Sequence, residues 1–413
     1  MTNNRVVITG MGVISPLGNS IKKYWESISN GFNGISPITL FDTSNYQVHI
    51  GGEANIKLES YLDSKTLNRI DRFTAFALIA AEQALKSSKI DVSKINTNRA
   101  GVIVSSGIGG MNTFEKQHSK LLKDPKKVSP FFIPSMIPDI ASGYISIKYN
   151  FKGTNYAILS ACSSSAHSIG ESYRNIKHGY SDIIISGGAE ASITPMSIAG
   201  FSNMKALSKN SNHKTASRPF DKKRDGFVIS EGAGILLLEE LQHAINRKAT
   251  IYAEIKGFGA SADAYHITTP HPKSHGAIQS MQQAINEARL KTNDIQYINA
   301  HGTSTYHNDI IETNAIKKVF KKSSKNLHVS STKSMIGHSL GASGALEAIA
   351  TILSIKNSTI TPTINYKNID PLCDLNYVPN ESIVKKIDNA LSNSFGFGGH
   401  NATLTLSKYN EKD

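Results

Sequence analysis

The 413-residue sequence lacks several features that would direct its interpretation towards a specialised class of protein. It has only two cysteines, Cys162 and Cys373, too few for a disulfide framework or an all-cysteine metal site. No run approaches the roughly 18 consecutive apolar residues of a membrane-spanning helix. The formal net charge is +13, yet no basic block interleaved with aromatic residues predicts nucleic-acid binding. We therefore expect a soluble globular protein with neither membrane nor nucleic acid as partner.

The N-terminus also lacks the charged and apolar regions of a secretory signal. Residues 1–5 (MTNNR) run directly into the β-branched segment 6–9 (VVIT), which predicts a strand instead. We therefore expect a cytoplasmic protein. The excess of positive charge favours an acidic partner.

Short β-branched segments alternate with longer segments of helical period, which predicts an α/β fold. Strands are expected at 6–9, 101–105, 155–159, 182–186, 251–255, 295–300, 327–330 and 390–394, and helices at 72–85, 277–288 and 340–355. One strand leads into Cys162, and another delivers His301 in a similar way. This likeness predicts a duplicated unit, with halves 1–250 and 251–413 and one site between them.

Cys162 is the first candidate for chemistry. It lies in the segment 160–165 (SACSSS), between a predicted strand and a predicted helix. At a helix N-terminus, the dipole and the free N–H groups favour the thiolate, which is the nucleophilic form. A lone cysteine is more often a buried structural residue, and Cys373 is interpreted in that way. The small neighbours of Cys162 leave room for a substrate, so Cys162 is the predicted nucleophile.

Two further loops carry histidine just beyond a strand. They are residues 299–305 (NAHGTST) and 331–338 (STKSMIGH), which contain His301, Lys333 and His338. Such Gly/Ser/Thr-rich loops rarely bury side chains for packing alone, and strand ends are where α/β folds place their sites. These three side chains are therefore predicted to act together with Cys162.

Two patterns imitate other classes of enzyme. The segment 10–12 (GMG) follows a strand but lacks the third glycine of a dinucleotide site. The segment 337–341 (GHSLG) has the G-x-S-x-G form of an α/β-hydrolase, with Ser339 as its nucleophile. That elbow should follow a strand directly, whereas six residues separate Ser330 from Gly337 here. The hydrolase stays open as a distant alternative.

Taken together, the motifs resemble those of the β-ketoacyl-[acyl-carrier-protein] synthases of bacterial fatty-acid synthesis, most closely the type II branch. The resemblance extends over the whole chain, with further ordered matches at 7–12, 187–190, 217–221, 224–227 and 393–399. It implies a thiolase-like duplicated fold in five α/β/α/β/α layers, usually assembled as a homodimer. Type I synthases share the catalytic residues and remain the near alternative.

The resemblance also implies an acyltransferase reaction, a decarboxylative Claisen condensation of acyl and malonyl thioesters. Cys162 would accept the acyl group from an acyl carrier protein, and His301 with His338 would stabilise the enolate formed from malonyl-carrier protein. Lys333 would hold the local electrostatics, and backbone N–H groups of Cys162 and Phe397 would form an oxyanion hole. We expect no metal and no cofactor, since phosphopantetheine arrives on the carrier protein.

The remaining implied site residues bind the substrates or support the catalytic ones. Glu347 matches a family position and would anchor the network around Lys333. The resemblance implies that the hydroxyls of Thr303 and Thr305 bind the pantetheine arm and that Ile108 and Phe201 line the acyl pocket. It also implies that the carrier protein docks on Lys65, Arg69 and Lys205.

The sequence departs from the family pattern at four positions. Tyr306 stands in place of a proline and Asn308 in place of a glycine, while Ile336 and His400 each replace a threonine. None of these changes removes a catalytic group. We expect them to alter the shape of the pantetheine tunnel.

Overall fold

The computed structural model describes residues 3–411. The strands are β1 (Val6–Ile14), β2 (Ser36–Pro37), β3 (Ile50–Gly51), β4 (Ala100–Ser105), β5 (Asn155–Tyr156), β6 (Ile183–Glu190), β7 (Gly232–Glu240), β8 (Ala253–Ala262), β9 (Tyr297–Asn299), β10 (His328–Ser330), β11 (Thr359–Ile360), β12 (Ile383–Val384), β13 (Asn389–Gly396) and β14 (His400–Ser407). The α-helices are α1 (Ile21–Ser29), α2 (Ser64–Leu67), α3 (Arg72–Ser88), α4 (Met111–Leu121), α5 (Phe132–Met136), α6 (Ile140–Tyr149), α7 (Ser164–Lys177), α8 (Pro195–Asn203), α9 (Leu241–Asn246), α10 (His275–Glu287), α11 (Tyr306–Phe320), α12 (Lys333–Ile336) and α13 (Ser343–Asn357). Within the described residues, none of these helices is long and apolar enough to cross a membrane.

Ten of the strands in this part of the chain form one sheet, in the order β10-β9-β13-β14-β8-β1-β7-β6-β4-β5. The two halves meet at β1 and β8, which are antiparallel, with Val6 opposite Ile255 and Ile8 opposite Ala253. Outwards from this junction, β7, β6, β4 and β5 match β14, β13, β9 and β10 in position. The duplication expected from the sequence is therefore present in the sheet, whereas the division into domains at residue 250 stays a prediction.

Helices cover both faces of each half of the sheet. On the outer side, α3 packs against β1, β7 and β6, and α10 packs against β8 and β14. Helices α7 and α13 contact each other and also strands of both halves, which places them between the halves. This order of helices and half-sheets gives the five α/β/α/β/α layers, and the predicted fold class is confirmed.

The hydrophobic pattern of β7 shows why the sheet is covered on both sides. Leu236 and Leu238 belong to the core cluster around α7 and α13, whereas Ile235 and Leu237 belong to the cluster around α3. Because alternate side chains of a strand point to opposite faces, both faces of β7 are buried. A continuous apolar run is the expected signature of such a strand.

The two central helices begin in the same way. A 3₁₀ turn, Ala161–Ser163, precedes α7, and a second one, Leu340–Ala342, precedes α13. Each turn starts at a non-glycine residue of positive φ, 52° at Ala161 and 43° at Leu340. Such backbone is uncommon for residues with a side chain, and it is often found at functional sites.

The equivalence of the halves differs in one respect from the sequence-based interpretation. The strand before His301 is β9, which matches β4 in the sheet and not β5, the strand before Cys162. The segment that corresponds to the turn of Cys162 is the turn at Leu340. The pairing of Cys162 with His301 as equivalent positions was therefore wrong, because strand order in the sheet differs from order along the chain.

Candidate active site

Cys162 lies at the buried end of α7, in the middle of the 3₁₀ turn. Its side chain is only 8% exposed. The end of β13 packs directly against this turn, since a Cβ on Gly396 would lie 2.6 Å from the Ser160 carbonyl oxygen. The backbone N–H of Phe397 interacts with the Cys162 thiol. Glycine at position 396 thus allows the two segments to meet at the sulfur.

His338 is the immediate partner of the thiol. Its Nε2 lies 3.1 Å from Cys162 Sγ. The His338 N–H donates to the Val228 carbonyl at 2.7 Å, and its carbonyl accepts from the Ser230 N–H at 2.9 Å. The ring packs edge-on against Phe227, with 5.2 Å between centroids. The two backbone hydrogen bonds therefore fix the position of the His338 backbone, and the contact with Phe227 limits rotation of the imidazole.

His301 approaches from the C-terminal half and completes the group. Its ring centroid is 5.4 Å from that of His338. The Lys333 Nζ lies 3.4 Å from His301 Nδ1. Because an ammonium group can only donate, Nδ1 of the neutral ring accepts, and the proton of His301 resides on Nε2. His301 is thereby oriented as a hydrogen-bond donor through Nε2.

Lys333 forms a buried ion pair with Glu347 on α13. The two side chains are 1% and 0% exposed. Burial raises the pKa of Glu347 to about 7, although the Lys333 ammonium acts in the opposite direction. A charged group without a partner is costly in such surroundings, so each member of the pair depends on the other.

The protonation state of the site follows from burial. Burial raises the pKa of the Cys162 thiol to about 12, and the opposing effects of Lys333 and the Phe397 N–H do not reverse this. Burial likewise holds the pKa of His301 and of His338 well below the usual value, and Lys333 acts in the same direction. The resting site therefore contains a thiol and two neutral imidazoles. The sequence-based expectation that the helix N-terminus favours the thiolate was wrong, because desolvation outweighs it.

Two buried glutamates that sequence reasoning gave no role hold the loops of the site. Glu312 on α11 accepts from the N–H groups of His301 and Gly302 at 2.9 and 2.8 Å. Glu190 at the end of β6 accepts from the N–H groups of Gly107 and Gly341 at 2.8 and 3.0 Å. Glu312 thus satisfies two successive backbone donors of the loop that carries His301, whereas Glu190 joins the loop after β4 to the turn before α13. The only signal for Glu312 in the sequence was a carboxylate on a buried helix face.

A cavity of about 580 Å³ leads to the thiol. It is lined by all of the predicted substrate-binding residues, together with the predicted catalytic residues other than Lys333: Ile108, Phe201, Thr303, Thr305, Cys162, His301, His338 and Phe397. The hydroxyls of Thr303 and Thr305 lie 2.9 Å apart. Lys333 does not line the cavity; it is fully buried and contacts His301 at Nδ1. Segments distant in the sequence therefore meet around a single cavity.

The three predicted docking cations lie beside two different cavities of this chain. Lys205 is exposed and lines the cavity that leads to Cys162. Lys65 on α2 and Arg69 just after it are also exposed, and the Arg69 guanidinium stacks on the Phe131 ring at 4.7 Å. Their neighbours Leu67 and Phe131 line a second cavity, of about 550 Å³, which shares no lining residue with the first.

The four residues that depart from the family pattern lie in different places: two line the cavity, one is buried in the core and one is exposed. Tyr306 lines the cavity, and its ring lies 5.4 Å from the Arg224 guanidinium. Asn308 also lines the cavity and donates to the Asp309 carboxylate at 3.1 Å. Ile336 is buried in the core, while His400 is exposed with its ring beside Gly398. Tyr306 and Asn308 are thus the two changes that shape the cavity wall.

The hydrolase alternative finds no support in the geometry. Ser339 is fully buried, and its hydroxyl has no hydrogen-bond partner among residues 3–411. It lies between α12 and the turn before α13, not directly after a strand. No group of three or more His, Cys, Asp or Glu side chains in the same residues could hold a metal ion. The expectation that the enzyme needs no metal stays a prediction.

A duplicated five-layered fold with a buried thiol and two histidines at its centre defines a thiolase-like condensing enzyme. Family models described as "Beta-ketoacyl synthase, N-terminal domain" and "Beta-ketoacyl synthase, C-terminal domain" match residues 3–244 and 252–367. The chain belongs to the β-ketoacyl synthase family, and the resemblance indicated by the motifs is confirmed.

Two curated relatives extend this result to almost the whole chain. The 3-oxoacyl-[acyl-carrier-protein] synthase 2 of Staphylococcus aureus (strain COL) is 51% identical over 409 residues, covering 98% of this chain and 99% of the relative. The protein of the same name from Synechocystis sp. is 47% identical over 412 residues, covering 99% of each.

Solved structures show the same fold. A ketosynthase described in complex with its type II polyketide acyl-carrier protein superposes with a TM-score of 0.93 at 33% identity, covering 98% of this chain and 100% of that one. A β-ketoacyl synthase from Burkholderia phymatum STM815 gives a TM-score of 0.91 at 33% identity, with the same coverage.

The buried ion pair leads to a prediction about stability. Glu347→Gln or Lys333→Met alone is expected to lower the free energy of unfolding by about 3–5 kcal/mol, since each leaves an unpaired buried group. The double variant is expected to lose clearly less than the sum of the two. Chemical denaturation of all four proteins gives the coupling energy. Strict additivity would contradict the interdependence of Lys333 and Glu347.

Proposed function

We propose that the chain catalyses the elongating condensation of fatty-acid synthesis, in which an acyl thioester and malonyl-carrier protein give a β-ketoacyl-carrier protein and CO2. The observation that carries this proposal is the 3.1 Å contact of Cys162 Sγ with His338 Nε2, with His301 beside the same cavity. The names of the curated relatives, synthase 2 in both cases, support the type II over the type I alternative.

The first half of the reaction transfers the acyl group to Cys162. As Sγ attacks the thioester carbonyl, its proton passes to His338 Nε2, because a thiol of raised pKa provides little thiolate beforehand. The carbonyl–sulfur bond to pantetheine then breaks, and the proton returns to the leaving thiolate. The Phe397 N–H beside the sulfur supports an oxyanion-hole role together with the Cys162 N–H.

The second half forms the carbon–carbon bond. Malonyl thioester loses CO2, and the electron pair of the broken bond forms an enolate whose oxygen needs hydrogen-bond donors. Neutral His301, with its proton on Nε2, supplies one, and His338 in the tautomer with a proton on Nε2 supplies another. The carbanion attacks the acyl thioester on Cys162. The Cys162 sulfur leaves as a thiolate and takes up one proton from water, which is the proton that the overall decarboxylative condensation consumes.

Phosphopantetheine is proposed to enter as part of the substrate and not as a resident cofactor. Thr303 and Thr305 present adjacent hydroxyls to its amide groups along the cavity, and Ile108 with Phe201 offer apolar contact to the acyl chain. We also propose a cytoplasmic location, because the mechanism needs a free Cys162 thiol, which a reducing compartment maintains. Cell fractionation would check this.

The acidic carrier protein is proposed to dock on the exposed cations Lys65, Arg69 and Lys205. Lys205 lies at the cavity of Cys162, whereas Lys65 and Arg69 lie beside the second cavity, and a second copy of the chain would supply the neighbouring surface that joins them. The net charge of +13 would assist the approach of an acidic partner.

A homodimer is the proposed assembly. β5 is an outer strand of the ten-stranded sheet, and its two residues, Asn155 and Tyr156, are exposed. Ile133 and Leu159 are 55% and 51% exposed. An open sheet edge with apolar surroundings favours pairing with a second copy.

Analytical ultracentrifugation checks this assembly. We expect one species at twice the mass of the chain. We expect Asn155→Pro to shift it towards the monomer, because the N–H of Asn155 faces away from β4 and proline removes this donor from the open edge. A wild-type protein that sediments as a monomer at micromolar concentration would overturn the dimer.

The central test of the function is to identify the acylated residue. After incubation with acyl-carrier protein, mass spectrometry is expected to find the acyl group on Cys162 only, and Cys162→Ala is expected to abolish condensation. Cys373→Ala is the matched control, because Cys373 is buried elsewhere and should be dispensable. An acyl group on Ser339, or condensation by Cys162→Ala, would refute the proposal.

Charge reversal tests the docking surface. Lys65→Glu, Arg69→Glu and Lys205→Glu are each expected to raise the KM for the carrier protein at low salt by at least about twofold, the scale of one exposed ion pair. The effect should shrink as salt screens the charges. Lys325→Glu, an exposed lysine in the C-terminal half, is the control and should change little. Equal KM values for the control and all three variants would count against this surface.

A further inference from the structure

The Ser343 hydroxyl is a buried polar group that the reaction scheme above does not use. Ser343 is the first residue of α13 and is 1% exposed. Its Oγ lies 2.9 Å from His338 Nδ1. Among residues 3–411, this ring nitrogen is its only hydrogen-bond partner. A buried hydroxyl normally has such a partner, so the question is what this contact does for the imidazole.

The hydroxyl does not serve the start of the helix. Serine near a helix N-terminus often accepts from a free backbone N–H. In α13 the cap position is Ala342, which makes no side-chain cap hydrogen bond, and the free N–H of Ala345 donates to Ser165 Oγ at 3.0 Å instead of to Ser343. The contact with His338 is therefore not a by-product of capping.

With the contact to Ser343, both ring nitrogens of His338 have a partner. Nδ1 lies 2.9 Å from Ser343 Oγ, and Nε2 lies 3.1 Å from Cys162 Sγ. A ring turned over by half a rotation would present carbon atoms at both places and lose both contacts. The rings of Phe227 and His301 pack on His338 without a hydrogen bond, so they do not distinguish the two orientations.

We propose that Ser343 is a positioning residue whose hydroxyl holds His338 with Nε2 directed at Cys162. A hydroxyl suits this task because it both donates and accepts. When Nε2 takes the thiol proton, Nδ1 carries a hydrogen and Ser343 Oγ accepts. When Nε2 carries the hydrogen and donates to the enolate, Nδ1 is unprotonated and Ser343 Oγ–H donates. Rotation about the Cβ–Oγ bond is enough, and Ser343 neither gains nor loses a proton.

The titratable groups that face His338 are Cys162, His301 and Lys333. Lys333 disfavours a charged His338 from behind His301. The orientation of Nε2 therefore matters most at neutral pH, where His338 and not hydroxide must remove the thiol proton. The roles in the two half-reactions rest on the proposed function, whereas the orientation itself can be measured on the thiol alone.

The test measures alkylation of Cys162 by iodoacetamide as a function of pH, and condensation by steady-state kinetics. Ser343→Ala is expected to slow alkylation near neutral pH, with a difference from wild type that narrows as pH rises. It is also expected to lower kcat about 10- to 100-fold, the range known for loss of a partner that orients a metal-binding histidine, with little change in KM. A purely structural role would not produce a pH-dependent difference.

Two variants provide the comparison. Ser343→Thr keeps the hydroxyl and should restore most of both activities. Ser354→Ala removes another buried serine of α13, whose Oγ has no partner in the described chain, and should behave as wild type. The proposal is overturned if Ser343→Ala matches Ser354→Ala in both assays, or if a stably folded Ser343→Thr is as impaired as Ser343→Ala. Wild-type protein that is alkylated as expected but does not condense would instead refute the proposed function.

Discussion

The close approach of α13 to α7 is the constraint on which the catalytic geometry depends. A Cβ on Gly344 would lie 2.8 Å from the Cβ of Ala166 and 2.9 Å from the Ser394 Oγ, so no larger residue fits without displacement. Cys162 lies in the turn directly before α7, and His338 lies two residues before the turn that precedes α13, so the distance between the helices limits the distance between Cys162 and His338. The 3.1 Å contact of thiol and imidazole is thus a result of helix packing as much as of side-chain orientation.

The same packing determines the electrostatics of the site. Lys333 and Glu347 are buried between the two half-sheets and therefore pair with each other. Their surroundings also keep His301 and His338 neutral. Neutral imidazoles suit the chemistry, because they can accept a proton from the thiol and can donate to an oxyanion. The charged groups are thus Lys333 and Glu347, which do not line the cavity that leads to Cys162.

The sequence predicts the fold class, and it predicts that Cys162, His301 and His338 share one site, because all three lie in small-residue loops beyond strands. The structure brings these side chains together, while their catalytic role stays a prediction. The apolar run of β7 and the alternation of threonine and leucine in β14 are further sequence signals of strands. The roles of Glu312 and Ser343 could not be predicted, since they depend on contacts that only the folded backbone creates. The protonation of the thiol was predicted wrongly for a related reason. Local sequence indicates a helix N-terminus, whereas desolvation arises from both halves together.

The buried and protonated state of Cys162 also affects how the enzyme withstands its surroundings. Oxidation of cysteine to sulfenic and higher acids proceeds through the thiolate and increases with exposure. With a pKa of about 12 and an exposure of 8%, Cys162 offers oxidants little thiolate and little accessible surface. Reaction of Cys162 thus depends on an electrophile that enters the cavity and on His338, 3.1 Å from the sulfur, as the acceptor of the thiol proton. An essential sulfur can in this way remain reduced in a cell that generates peroxide.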